Sequence, residues 1–167
     1  MSGKVVTYII EEVIRESTLS DLVEFLNSNG GEKRILISSD GGYYQVMEAM
    51  LHLIDTEGES ITLVAYNRIF SSAFEFFFRA KCRKRLAGGV IGMFHQGETA
   101  IQVNEFGNRG REAQAKEHYM KTYMRQQTHD LCCALSMTSV EVGDLVSGED
   151  VYFSPKRMNE FLIKIDG

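Results

Sequence analysis

The sequence predicts an α/β domain built on a parallel sheet, with a helical element projecting from it. Three observations predict this. Apolar strand-like runs and helical patterns alternate about every ten to fifteen residues over the first 95 positions. No two-residue hairpin signal joins neighbouring strands, as expected of right-handed βαβ units. After His95 the pattern changes to one long helix-forming run.

The elements follow in order. Residues 5–10 are apolar and β-branched and read as a strand. Thr18, with Asp21 three residues on, reads as a helix start. Leu19, Leu22, Val23 and Leu26 then share a face, and Asn29-Gly30-Gly31 ends the helix. Residues 34–38 form a short strand closed by Asp40-Gly41-Gly42. A helix runs from Tyr43, with Val46, Met47, Met50, Leu51 and Ile54 at helical spacing. Residues 61–65 are a strand, 71–81 a helix and 90–94 a strand entered through Gly88-Gly89. The basic cluster 79–85 reads as a solvated helix end beside a turn. Residues 99–103 alternate like an edge strand, Asn108-Arg109-Gly110 is a turn, and 111–135 is a long helix with Ala115, Tyr119 and Tyr123 on one face. Helices near 139–146 and 155–163 flank Gly148-Glu149-Asp150. A single domain spanning 1–167 is expected, with a core of about 1–95 and 136–167 and a projecting part of about 96–135.

Composition narrows the function classes. The chain has 167 residues and a formal net charge of -5. With no basic face, nucleic acid is not an expected partner. No apolar run approaches the ~20 residues of a membrane span, so no membrane association is expected. No secretory signal is visible. The three cysteines, Cys82, Cys132 and Cys133, fit a reducing compartment, and the cytoplasm is expected. Adjacent cysteines lack ligand-pair spacing, so neither a metal nor a cofactor is expected, His129 nearby notwithstanding.

In an open α/β sheet, sites form beyond the carboxyl ends of the strands. Gly41-Gly42 opens a helix there with unobstructed backbone N–H groups. Ser71-Ser72 puts hydroxyls at the start of another helix, and His95 follows the next strand directly. Each has a plain reading as turn, N-cap or strand end; the order of all three is what points to chemistry.

That order resembles a known family. Ile35-Leu36-Ile37-Ser38-Ser39-Asp40-Gly41-Gly42, Phe70-Ser71-Ser72-Ala73-Phe74, Met93-Phe94-His95-Gln96 and Glu149-Asp150-Val151-Tyr152-Phe153-Ser154 are similar, in family order, to segments of the proteolytic subunit of Clp proteases. The resemblance implies the ClpP/crotonase fold, a repeated ββα/βαβ superhelical core with a projecting handle helix. It implies a serine peptidase acting on peptides or unfolded protein through an acyl-enzyme. Ser71 would be the nucleophile, His95 the base and Asp150 the residue orienting it. Ser72 is the rival nucleophile; Ala73 in the small-residue position favours Ser71. Gly41 and Ser72 would form the oxyanion hole, and Gly42, Gln96 and Ile101 would line the substrate groove. The resemblance also implies a ring-forming homo-oligomer, its rings joined through the handle.

Departures from the pattern are Asp40 where proline is usual, Gly97 after the His-Gln pair, Phe70 before the nucleophile and Glu75 within a Phe-rich helix. Glu75 is expected in a buried ion pair or, failing that, lining a pocket for basic side chains. With about four residues before the first strand, docking of a Clp-type ATPase is not expected. Two other classes stay open: a non-catalytic structural or interaction relative of the same fold, and a crotonase-like acyl-CoA enzyme.

Overall fold

The computed structural model describes residues 4–28, 31–97 and 110–167, the side chains of 110–113 excepted. Its centre is a six-stranded sheet. The strands are β1 (Val5–Ile10), β2 (Glu32–Ser39), β3 (Ile61–Phe70), β4 (Arg83–Leu86), β5 (Ile91–Phe94) and β6 (Val151–Phe153). The helices are α1 (Glu16–Asn27), α2 (Tyr44–Glu57), α3 (Ser72–Arg79), α4 (Gly110–Ala134), α5 (Ser139–Ser147) and α6 (Pro155–Asp166).

Strand order is β1-β2-β3-β5-β6, with β4 also paired to β3. All pairings are parallel except β5 with β6. The length of β3 gives it two partners on one edge. Its first half, Thr62 to Ala65, pairs with β4, and its second, Arg68 to Phe70, with β5. Between them Asn67 takes a positive φ of 53°, a conformation that asparagine tolerates better than most residues.

The alternating α/β core is as the sequence predicts, and three local expectations change. β3 runs five residues beyond Ala65, so it delivers the chain directly to Ser71. The basic cluster is a helix end only as far as Arg79; Arg83–Leu86 form a strand whose charged side chains stay exposed or half-exposed, as suits a sheet edge. Thr18 lies inside α1 rather than at its start, and its hydroxyl accepts the Arg15 N–H at 3.2 Å. The buried face of α1 accordingly carries Thr18, Leu22, Phe25 and Leu26, while Val23 is exposed.

The core lies under α3, whose residues Ser72 to Phe78 are all buried. Phe74 stacks on Phe94 and Phe153, with ring centroids 5.2 and 5.3 Å apart, and meets the edge of Phe161 at 6.3 Å. Such aromatic pairs add modestly to the burial of their surface. Here they also tie α3 to the ends of β5 and β6, the two strands that flank the site. Residues 98–109, including Ile101, the expected strand at 99–103 and most of the turn at 108–110, lie outside the described residues.

Candidate functional site

Parallel strands bring their carboxyl ends to one edge of the sheet, and the site forms where β2, β3 and β5 end. Phe70 pairs with Met93, and the Ser71 N–H donates to the Met93 carbonyl at 2.8 Å. Ser71 therefore leaves β3 beside the end of β5. It is the N-cap of α3 at φ 54°, ψ -127°, a backbone conformation strained for any residue with a Cβ. The bend turns its hydroxyl away from the helix it caps: the Ser71 side chain makes no capping hydrogen bond.

His95 follows β5 at once. Its Nε2 lies 2.6 Å from Ser71 Oγ, and its Nδ1 lies 3.0 Å from Asp150 Oδ1. The carboxylate arrives from β6, whose antiparallel register sets Val151 against Phe94. The residue before β6 thus meets the residue after β5. A carboxylate on Nδ1 holds the N–H there and leaves Nε2 free to accept from a hydroxyl. His95 and Asp150 keep 35% and 50% of their side chains exposed, so a substrate can reach the line. Sequence reading names all three of these side chains, and they converge.

Ser72, the rival hydroxyl, is 5% exposed and turned elsewhere: it donates to the Gly42 carbonyl at 3.2 Å. Its N–H, first in α3, has no acceptor within the helix.

The Gly41-Gly42 turn lies against this junction. Gly41 has φ 96°, and a Cβ there would come within 2.8 Å of the Phe70 carbonyl oxygen and of Ser71 Cβ. Only glycine permits that approach. Its N–H donates to Ser39 Oγ at 3.1 Å, and Ser39 Oγ in turn donates to the Glu12 carbonyl at 2.7 Å. Gly41, expected as an oxyanion donor, therefore already has an acceptor. The Gly42 N–H, expected only along the groove, is the one in the turn without an acceptor among the described residues. Gln96 is half-buried beside His95.

The four departures each find a setting. Asp40 pairs with Arg68, which donates from Nε at 2.5 Å and from its terminal nitrogen at 3.0 Å. This bonding to the guanidinium holds the Asp40 carboxyl below the usual carboxylate range. Phe70 meets Tyr152 edge to face at 5.9 Å. Gly97 approaches Met124 of α4, whose Cε a Cβ would meet at 2.8 Å. Glu75 is buried, with Arg79 one helical turn on at 3.5 Å. Arg79 also binds Glu48 of α2, and Glu48 accepts from Tyr123 of α4 at 3.1 Å. Burial, reinforced by Glu48 and opposed by Arg79, pushes the Glu75 carboxyl up to about 7. The ion pair, not an open pocket, is what Glu75 forms.

Sequence reasoning does not single out Ser39 or Arg68. An arginine three residues before a serine elbow, on the strand next to an acidic turn, is the signal that could find Arg68. Among the described residues, no cluster of histidine, cysteine, aspartate and glutamate is arranged to hold a metal ion, and no helix is long and apolar enough to cross a membrane.

No protein-family model matches the chain, and no curated protein matches it in sequence. Solved structures do match. A ClpP1 mutant from Listeria monocytogenes superposes with a TM-score of 0.65 at 17% identity, covering 93% of this chain and 86% of that one. A peptidase from Plasmodium falciparum superposes with a TM-score of 0.67 at 13% identity, covering 93% and 91%. At these identities the likeness is one of architecture: the chain has a ClpP-like α/β fold.

Proposed function

We propose that this protein is a serine peptidase that cleaves peptide bonds through an acyl-enzyme on Ser71. The observation that carries the proposal is the unbroken line from Ser71 Oγ to His95 Nε2 and from His95 Nδ1 to Asp150. Helix caps and strand ends do not of themselves require a serine, an imidazole and a carboxylate in that order.

In the reaction, Ser71 Oγ attacks the scissile carbonyl carbon while its proton passes to His95 Nε2. Asp150 stabilises the imidazolium so formed. The carbonyl oxygen, now an oxyanion, is held by the N–H groups of Gly42 and Ser72. Collapse of this intermediate breaks the C–N bond, and His95 returns its proton to the leaving amine. Water then attacks the ester with His95 as base, and release of the acid restores the Ser71 hydroxyl. No cofactor or metal enters these steps. The substrate is a peptide or an unfolded protein chain, and the working form is a homo-oligomer.

Asp40, Glu75 and Phe70 are the departures that motivate a non-catalytic relative, and each has a partner in the fold. Asp40 is neutralised by Arg68, Glu75 is paired with Arg79, and Phe70 packs on Tyr152. A crotonase-like reading has no observation of its own behind it.

The test is labelling of the assembled protein with a serine-directed fluorophosphonate, followed by peptide mapping. Label on Ser71, absent from Ser71→Ala and retained in Ser72→Ala, is the expected result. Label on neither serine, together with no hydrolysis of unfolded casein or fluorogenic peptides, would end the hydrolase reading.

A further inference from the structure

The turn that carries the Gly42 N–H is built from two successive glycines. Both of its glycines occupy conformations that other residues rarely adopt, Gly41 at φ 96° and Gly42 at φ 154°. Neither contributes a side chain that could hold it. Ile14 grips the turn from one side: its N–H donates to the Gly41 carbonyl at 2.8 Å, and its carbonyl accepts from Tyr43 at 2.9 Å. Those bonds tether the turn to the segment after β1, not to the segment that carries Ser71. The last β2–β3 pair is Ser39 with Ile69. Among the described residues, two side-chain contacts join the turn to β3 and α3: Ser72 Oγ to the Gly42 carbonyl at 3.2 Å, and the two-pronged pair of Asp40 with Arg68 of β3 at 2.5 and 3.0 Å.

We propose that Ser72, Asp40 and Arg68 are positioning residues, a double clamp that holds the Gly41-Gly42 turn at the spacing from Ser71 and the Ser72 N–H that an oxyanion requires. The proposal rests on the serine-peptidase reading of the site. The inner half of the clamp runs from the buried Ser72 to the exposed Gly42 and joins the residues that would supply the two donors by a single hydrogen bond. The outer half is exposed, 43% for Arg68 and 58% for Asp40. An exposed ion pair contributes little to folding stability, but a planar guanidinium meeting both carboxylate oxygens fixes direction as well as distance. The two halves lie on opposite ends of the short Asp40–Gly42 segment, so together they resist both a shift and a rotation of the turn. A misplacement of about 1 Å at such a site can lower turnover about 100-fold.

The experiment compares the wild type with Asp40→Asn, Arg68→Gln, Ser72→Ala and the exchanged pair Asp40→Arg/Arg68→Asp. It measures kcat and KM on a fluorogenic peptide, melting temperature, and backbone amide exchange at residues 41–43. Asp40→Asn and Arg68→Gln are expected to lower kcat about 10-fold and Ser72→Ala about 10- to 100-fold. KM should stay within about 2-fold, and exchange at Gly41 and Tyr43, whose N–H groups are hydrogen-bonded in the closed turn, should accelerate. The exchanged pair should recover most of the kcat that the single changes remove, which a bland surface role would not produce. Wild-type kcat and exchange in Asp40→Asn and Ser72→Ala, in a preparation whose wild type hydrolyses peptide, would overturn the clamp and leave the peptidase intact. A wild type that neither labels nor hydrolyses removes the catalytic sense of the clamp along with the peptidase reading. Unchanged exchange in the variants would then overturn its structural sense as well.

Discussion

His95 Nδ1 and Asp150 Oδ1 lie 3.0 Å apart although 55 residues separate them in sequence. The contact follows from one antiparallel pairing, Phe94 with Val151, in a sheet whose other pairings are parallel. A three-residue strand thus decides whether the imidazole has a carboxylate behind it.

Asp150→Asn should lower kcat by about 10²–10⁴-fold, because an amide can present N–H to Nδ1 and favour the wrong tautomer. Asp150 is half exposed, so the melting temperature should move little. Peptide hydrolysis and a thermal melt on the same sample check both parts. Full activity in Asp150→Asn would remove the carboxylate from the mechanism.

Much of the architecture is legible in the residues, and the parts that are not have physical causes. Periodicity locates β1, β2, α2 and α3 because each buries one face or all of itself. It does not find β4, since Arg83, Lys84 and Arg85 form an edge strand with nothing apolar to announce it. Nor does it find β6, since Val151-Tyr152-Phe153 is too short to show a period. The order of the serine, histidine and aspartate segments points to the site, yet the donor role within the turn is not readable from Gly-Gly alone. It depends on Ser39 Oγ accepting the Gly41 N–H, a contact fixed by how β2 ends. Arg68–Asp40 is likewise invisible, because it depends on a register between strands that only the folded sheet sets.

Gly42→Ala should be among the most damaging single-methyl changes at the site. A Cβ at Gly42 would lie 2.2 Å from the Ile14 carbonyl oxygen and 2.7 Å from its nitrogen, both backbone atoms that cannot swing aside. The turn must then move off Ile14, with a loss of stability of about 1–3 kcal/mol as for other overpacked or strained sites. Hydrolysis should fall even in samples that remain folded, because the same turn carries the Gly42 N–H. Gly89→Ala is the comparison: its positive φ of 81° also strains alanine, but nothing lies within 4 Å of the added methyl. Equal melting temperatures and activities for the two variants would contradict the close-approach argument.

Phe74→Ala should cost about 3–5 kcal/mol, the range for emptying a large aromatic site in a core. For a chain of this length that corresponds to a fall of roughly 6–20 °C in melting temperature. Phe74 contacts Phe94, the residue before His95, and Phe153, at the far end of the three-residue strand that Asp150 precedes. Activity at a temperature well below the melt should therefore drop as well. A loss of stability with turnover unchanged would show that the strand ends hold their spacing without this ring.

Glu75 gives the fold a pH dependence whose sign can be worked out. Its carboxyl is pushed from the ordinary 4.5 up to about 7, chiefly by burial. Between those two values the folded state binds more protons than the unfolded chain, so stability falls as pH rises from about 4.5 through 7 and levels off above. The gap corresponds to roughly 3 kcal/mol at most. Facing Glu75 are Arg79 on its own helix, Glu48 and Tyr44 on α2, and the Cys132 thiol on α4; Tyr123 reaches the same cluster through Glu48. One guanidinium serves two carboxylates there, and a protonated Glu75 relieves the excess charge. Glu75→Gln mimics the protonated form, so it should match the wild type near pH 5 and be the more stable of the two near pH 8. Thermal melts of both proteins across pH 5–8 test this. A constant offset between them at every pH would mean that Glu75 does not titrate in the interval.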